Sequence, residues 1–267
     1  MPTRRTATAW RLGLREGARA MSPHDVSSQD RSLDRNDHRL GVGFLLLWIA
    51  ATGVLLAMLK WRFDSANIPA NLLEKMRYRQ ALFGLLAVPL NGLALAGMLH
   101  LLWRRLRHKS PLPSAPGHWL LLVAGWRELI SLIFDAISTA LVPNDHPWPP
   151  GMEEAYRILE AGGSLALIAM AVRTTRGALA WRVCLASLSL ASFTMLAELP
   201  PQSSRWASTL AWYHFYYACF LLPGPLAMLG VILDWRRRVP RDFLHLCGAV
   251  VFVGVPIADM IIRWLAD

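Results

Sequence analysis

The stretch LGVGFLLLWIAATGVLLAML, at residues 40–59, carries no charged side chain and decides the fold class. At about 1.5 Å per residue, a helix of this length crosses the roughly 30 Å hydrocarbon layer of a membrane. Further apolar blocks of similar length follow along the chain, at about 80–103, 118–142, 155–172, 179–198, 209–233 and 243–265. The sequence therefore predicts an all-α, polytopic integral membrane bundle of about seven transmembrane helices. Six spans with one re-entrant segment remain the alternative.

Composition supports the same class. Hydrophobic residues make up 54% of the chain and charged residues 17%, whereas roughly a quarter of the residues in soluble domains are charged. The apolar residues lie in long blocks instead of being dispersed as in a soluble core. The 12 tryptophans also fit, because this residue is favoured at membrane interfaces.

The formal net charge of +10 does not indicate nucleic-acid binding, because the basic residues lie in the short connections between apolar blocks. Membrane topology already requires basic residues there. The cysteines Cys184, Cys219 and Cys247 lie inside apolar blocks and lack the spacing of metal ligands. We therefore expect no nucleic-acid partner, no disulfide framework and no metal site.

The N-terminal segment 1–38 is polar, is rich in arginine and contains no apolar run. We interpret it as a disordered basic cytoplasmic tail, followed by a seven-helix transmembrane domain at 39–267. The sequence MSPHD at residue 21 leaves open whether residues 1–20 belong to the mature protein.

Charges in the connections predict the orientation. Basic residues cluster at 104–109, 173–182 and 236–241, whereas the connections at 144–154 and 199–205 hold a single basic residue, Arg205. This asymmetry predicts a cytoplasmic N-terminus and an outer C-terminus. The connection at 60–79 is basic and disagrees, and its NLLEKMRYRQALF stretch could form an interfacial amphipathic helix. The arginine bias points to a GC-rich bacterial genome, hence to the bacterial inner membrane as the cell membrane concerned.

Ionisable side chains inside spans are costly and often functional. Glu128, Ser131, Asp135 and Ser138 share one helix face in the third block. Counted from the predicted boundaries, Glu128 lies near the middle of the bilayer, and the residues that fall in its outer third are Asp135, Arg157, Glu160, Glu198, His214, Asp259 and Arg263. The predicted acidic pocket in the outer half of the bundle contains Glu128, Asp135, Glu160, His214, Asp259 and Arg263.

A structural interpretation competes with the pocket. Arg157 with Glu160, and Asp259 with Arg263, have the spacing of pairs within one helix. His214 lies among Trp212, Tyr213, Tyr216 and Tyr217, as an interfacial residue does.

Several cofactor-dependent classes are not supported, and no cofactor is expected. A retinal protein needs a lysine in its last span, and GVPIADMIIRWLAD at 254–267 has none. Haem b needs paired histidines, but His100, His118 and His245 each lie beside a basic connection. The sequence EEAYR at 153–157 lacks the spacing and the later histidines of membrane proteases that carry a double-Glu motif.

Two short segments are similar to features of the membrane-bound terpene cyclases, which are small seven-helix proteins that protonate an isoprenoid. These are GWRE at 125–128 and IADMII at 257–262. The resemblance covers only these residues, and Arg127 separates the Trp from the Glu. It implies that Glu128 and Asp259 could form an acid pair, since a buried carboxylic acid can act as a general acid.

Two functions therefore remain open. One is a non-enzymatic membrane protein whose pocket serves solute or ion binding, transport or sensing, alone, as a homo-oligomer or as a subunit of a membrane complex. The other is a membrane-embedded enzyme that acts on a lipid or isoprenoid through Glu128, Asp135 or Asp259. The expected partners are the lipid bilayer and a lipid or small polar solute.

Overall fold

The computed structural model of the chain describes residues 41–65, 70–109, 113, 115–141, 151–175, 179–197, 218–219 and 221–266. The predicted N-terminal tail and the predicted pocket residue His214 lie outside these ranges. The described residues form helices and no strand. The helices are α1 (Val42–Ser65), α2 (Ala70–Leu86), α3 (Val88–His108), α4 (Pro116–Leu141), α5 (Met152–Thr174), α6 (Leu179–Ala197), α7 (Pro223–Arg236) and α8 (Phe243–Ala266).

The helix boundaries follow the apolar blocks closely, except that the second block is divided between two helices. The second block, predicted at about 80–103, belongs to α2 and α3, which meet at a bend of 41°. Pro89 lies in the first turn of α3, where its missing N–H and fixed φ interrupt the helix that precedes it. The stretch expected as an interfacial helix is most of α2. In the sixth block the structure describes residues 218–219 and 221–233, and the continuous helix α7 begins at Pro223.

Six helices form a closed ring. Each helix from α3 to α8 packs against the next, and α8 returns to pack against both α3 and α4. Outside this ring, α1 lies against α3 and α4, and α2 lies against α8 and α3.

Glycines allow the closest helix contacts in the ring. A Cβ on Gly117 of α4 would lie 2.0 Å from the carbonyl oxygen of His245, and a Cβ on Gly248 of α8 would lie 1.9 Å from the carbonyl oxygen of Gly117. Only residues without a side chain permit this approach of two backbones, which is a frequent mode of packing between membrane helices. The contact fixes the crossing of α4 and α8.

The outer surface of the described helices is apolar. On α1, Leu46 and Ile49 are about 60% and 59% exposed, which suits a lipid environment better than water. Four helices, α1, α5, α6 and α8, are long and apolar enough to cross a membrane, and the bent pair of α2 and α3 makes a fifth if it counts as one span. The fold is therefore an all-helical bundle with several helices compatible with a membrane protein.

One end of the bundle collects the basic connections and is called the basic end here. Phe44 of α1 packs against His100 of α3 and Phe243 of α8, so the start of α1, the last part of α3 and the start of α8 lie at this end. Trp181 near the start of α6 contacts Asp234 near the end of α7. The charged residues at this end include Arg104, Arg105, Arg107, Lys109, Arg182, Arg236, Arg237, Arg238 and Arg241.

Candidate functional site

A central cavity of about 380 Å³ lies inside the ring and is lined by all six of its helices. The lining residues come from the first two turns of α3, the second and third turns of α5, the middle of α4 and α8, the second half of α6 and the start of α7. The cavity therefore extends from the middle of the bundle into the half away from the basic end. Its lining consists of Asn91, Ala94, Ala124, Arg127, Glu128, Ser131, Tyr156, Glu160, Leu188, Ala191, Met195, Pro223, Val251, Phe252, Val255 and Pro256.

An ion pair between α4 and α5 forms part of the cavity wall. Arg127 Nε donates to Glu160 Oε1 at 3.0 Å, with the side chains 18% and 7% exposed. Arg127 Nη2 also lies 3.2 Å from Met195 Sδ on α6. Because both charges are largely removed from solvent, each depends on the other for compensation.

A close contact between α4 and α5 brings this pair together. Trp126 Nε1 donates to the carbonyl oxygen of Leu159 at 3.0 Å. A Cβ on Gly163 would lie 2.2 Å from that same indole nitrogen. The absence of a side chain at Gly163 thus lets the indole lie against α5, and the adjacent Arg127 then reaches Glu160.

Several polar groups of the cavity lack hydrogen-bond partners among the described residues. The side chains of Asn91, Glu128 and Ser131 line the cavity and make no hydrogen bond to another described side chain or backbone group. The Oε2 atom of Glu160 is buried and also has no such partner. Such groups in a cavity are normally satisfied by water or a ligand.

The cavity has two chemically different walls. The charged and amide side chains, together with the Ser131 and Tyr156 hydroxyls, come from α3, α4 and α5. The wall from α6, α7 and α8 is apolar, with Leu188 and Phe252 as two of its larger members. The prolines Pro223 and Pro256 belong to this apolar wall.

The structure brings two of the six predicted pocket residues, Glu128 and Glu160, into one cavity. Asp135 instead pairs with Arg62 of α1 at 2.9 Å on the outer face of the bundle. Asp259 and Arg263 form an i,i+4 pair at 2.9 Å and are about half exposed. The single shared pocket is thus smaller than expected, because carboxylates at similar depth point in different directions around the bundle.

The pairing expected within α5 also differs. Arg157 forms an ion pair with Glu153 of the same helix, and Glu160 pairs with Arg127 across the helix interface. The predicted pocket does not include Arg127, although a guanidinium in the middle of a span usually marks a paired or functional site. The acid pair of Glu128 and Asp259 suggested by the resemblance to terpene cyclases is not assembled, since Asp259 does not line the cavity.

A second polar cluster lies between the helix ends of the ring at the basic end. Asp234 Oδ2 accepts from Trp181 Nε1 at 3.0 Å and from Arg241 Nε at 2.9 Å, and Asp234 is 3% exposed. His245 Nδ1 accepts from the backbone N–H of Gly117 at 2.9 Å. The ring hydrogen therefore lies on Nε2, which faces Asp234 Oδ2 at 3.8 Å.

His118 and Asp242 extend this cluster toward the surface. His118 Nε2 lies 2.7 Å from Asp242 Oδ1, and Asp242 Oδ1 also accepts from the backbone N–H of His245 at 2.9 Å. Burial raises the pKa of the Asp242 carboxyl, but the hydrogen bonds and charges of His118 and His245 together outweigh burial, so that the pKa lies below its ordinary value. The cluster joins the ends of α4, α6, α7 and α8, which sequence spacing alone did not indicate.

The histidines considered for haem are engaged in different contacts. His118 pairs with Asp242, His245 accepts from Gly117, and His100 packs against Phe44. Within the described part of the chain, no group of three or more His, Cys, Asp or Glu side chains is arranged to hold a metal ion.

Comparison of the chain with protein-family models, with curated proteins and with solved structures finds no match.

Proposed function

We propose that this chain is a seven-span protein of the bacterial inner membrane whose central cavity binds a small solute for transport or sensing. Five spans correspond to α1, the bent pair, α5, α6 and α8. The sixth is α4, which has 26 residues but carries three charged side chains, Arg127, Glu128 and Asp135. The seventh is the block at 209–233, which ends in α7.

Orientation is proposed from the basic end, which we assign to the cytoplasm. Helix ends that carry arginines lie together there, as the positive-inside rule requires of cytoplasmic connections. Residues 60–79 remain basic on the opposite side, and two of their cations pair with carboxylates: Lys60 with Asp64, and Arg62 with Asp135. The cavity then lies in the outer half of the membrane.

One observation carries the functional proposal: Asn91, Glu128 and Ser131 of the central cavity have no hydrogen-bond partner among the residues that the structure describes. Asn91, Glu128 and Ser131 face the space between six helices, where leaving them unsatisfied is unfavourable. A purely structural bundle would be more stable with apolar side chains at these positions. A volume of about 380 Å³ lies within the range of small-molecule sites.

The test compares solute binding to the wild-type chain and to a variant whose cavity is filled by a larger side chain. The purified full chain in lipid nanodiscs is melted in the presence of cationic, zwitterionic and anionic solutes, because a ligand that binds the folded state raises its melting temperature. The variant Ala124→Phe fills the cavity from α4, and Ala186→Phe, on the exposed face of α6, is a matched control. Solutes that stabilise the wild type and Ala186→Phe, but not Ala124→Phe, support the proposal. Equal stabilisation of all three proteins, or of none, contradicts it.

A membrane enzyme acting on a lipid or isoprenoid is the second candidate, favoured by the apolar wall from α6 to α8. In that case Glu128 is the acid, because Glu160 is held by Arg127 and Asp135 and Asp259 lie outside the cavity. Comparing the lipids of a deletion strain complemented with wild-type chain or with Glu128→Gln tests it. An accumulated lipid that wild type removes and Glu128→Gln does not would favour the enzyme, and identical lipid profiles would exclude it.

A further inference from the structure

We propose that the cavity recognises a zwitterion with an apolar body, that is, a ligand with an ammonium group and an oxyanion at one end. This inference rests on the proposed solute-binding function and names the ligand class of that site. It follows from the donors that Arg127 leaves unused, the acceptors on Glu128 and Glu160, and the separation of polar and apolar walls.

Arg127 can bind an anionic group while keeping its ion pair. Its guanidinium has five N–H donors, of which Nε bonds Glu160 and one on Nη2 meets the weak acceptor Met195 Sδ. The other three have no partner among the described residues. Because Glu160 already holds and orients the guanidinium, these donors form a fixed surface suited to a carboxylate or phosphate.

Acceptors for an ammonium group lie next to these donors. Glu128 follows Arg127 directly, so the two side chains leave α4 about 100° apart and both line the cavity. The Glu128 carboxylate has no hydrogen-bond partner among the described residues. On the facing helix, Glu160 is 5% exposed and its Oε2 atom has no hydrogen-bond partner within the described part of the chain. An ammonium group with three N–H donors would satisfy these oxygens.

The remaining wall accepts an apolar body. Leu188 and Ala191 of α6 and Val251, Phe252 and Val255 of α8 provide no polar side chain. A ligand that is polar at one end therefore has one orientation in which all its groups are matched. A simple inorganic cation would leave the three Arg127 donors unused, and a simple anion would face two carboxylates.

Three probes of nearly equal size separate these cases. Phenylalanine carries both charges, phenethylamine carries only the ammonium group, and 3-phenylpropionate carries only the carboxylate. Binding to the full chain in nanodiscs of phosphatidylglycerol is measured by the shift in melting temperature. We expect phenylalanine to bind about tenfold or more tightly than either analogue, because each analogue loses hydrogen bonds between charged groups.

Two variants assign the charges. Glu128→Gln should weaken phenylalanine binding about tenfold and leave 3-phenylpropionate binding unweakened, since the lost carboxylate would only repel that probe. Asp259→Asn, whose exposed pair with Arg263 lies outside the cavity, should leave all three affinities unchanged. Repetition in phosphatidylethanolamine nanodiscs identifies the source of the zwitterion. Weaker phenylalanine binding there indicates competition by the lipid headgroup, and equal binding indicates a free solute.

Three results overturn the inference, and they have different consequences for solute binding. If phenethylamine binds as tightly as phenylalanine and Ala124→Phe abolishes both, the cavity binds a simple cation; the proposed function stands and the zwitterion is wrong. If none of the probes binds but other solutes raise the melting temperature and Ala124→Phe abolishes that rise, solute binding again stands and the zwitterion is again wrong. If Ala124→Phe binds phenylalanine as the wild type does, the ligand lies elsewhere and both proposals fail.

Discussion

Removing one member of the buried Arg127–Glu160 pair should cost far more stability than removing both. The two atoms in contact are 3.0 Å apart and the side chains are 18% and 7% exposed. Deleting one partner of such a pair typically costs about 3–5 kcal/mol, because a buried charge is left uncompensated. Replacing both by apolar residues of similar volume is often close to neutral.

The neighbouring carboxylate makes the two single changes unequal. In Glu160→Met, Arg127 still has Glu128 beside it on α4, so the cost should lie near 3 kcal/mol, at the lower end of the roughly 3–5 kcal/mol range. In Arg127→Met, two carboxylates remain in the cavity without a cation, so we expect about 5 kcal/mol. At about 2–4 °C per kcal/mol, these values correspond to melting temperatures lowered by roughly 6–12 °C and 10–20 °C.

The assay is thermal unfolding of the four proteins of the double-mutant cycle in the same detergent, followed by the fraction that remains monodisperse. Lys60→Met is the control, because its pair with Asp64 is exposed and such pairs contribute at most about 1 kcal/mol. The double variant should melt within about 4 °C of the wild type. If its loss equals the sum of the two single losses, Arg127 and Glu160 do not interact and do not form this part of the cavity wall as a pair.

Two further predictions concern packing and pH. Gly163→Ala should destabilise the protein by about 1–3 kcal/mol, because its Cβ would overlap the indole of Trp126, whereas Gly162→Ala, with open space around its Cβ, should be neutral or stabilising. Melting temperatures of the two variants test this, and equal losses would contradict it. The lowered pKa of Asp242 means that its stabilising contribution is present above the ordinary carboxylate pKa of about 4 and is lost as pH falls through the lower folded-state value. His118→Ala should therefore reduce the melting temperature at about pH 5, and this difference should shrink below about pH 4; a difference that grows toward lower pH would refute the assignment.

The helices could be predicted from sequence because the length of each apolar block sets the length of the helix that it forms. Blocks such as 118–142 and 179–198 coincide with α4 and α6 within two residues. The division of the second block was missed, since its first part is amphipathic and joins α3 through a bend beside Pro89. The orientation of the bundle and the count of seven spans stay predictions.

The candidate site could be predicted only in part, because depth along a helix can be counted but direction around the bundle cannot. Glu128 and Glu160 lie in one cavity, whereas Asp135, at a comparable depth to Glu160, turns toward Arg62 of α1. Arg127 lies outside the predicted pocket, although the charge of a guanidinium within a span needs a partner inside the bundle. The Asp234 cluster depends on residues far apart in sequence and could not be read from local spacing.

The parity of the spans is tested most directly by the sidedness of the two chain ends. One variant carries Ser22→Cys in the N-terminal segment and another carries Asp267→Cys, and intact cells are treated with a membrane-impermeant maleimide. The native Cys184, Cys219 and Cys247 are buried, so they should contribute little background labelling. We predict that the cysteine at 267 is labelled in intact cells and that the cysteine at 22 is labelled only after permeabilisation. Labelling of both positions from the same side would contradict an odd number of spans and the outer position of the cavity.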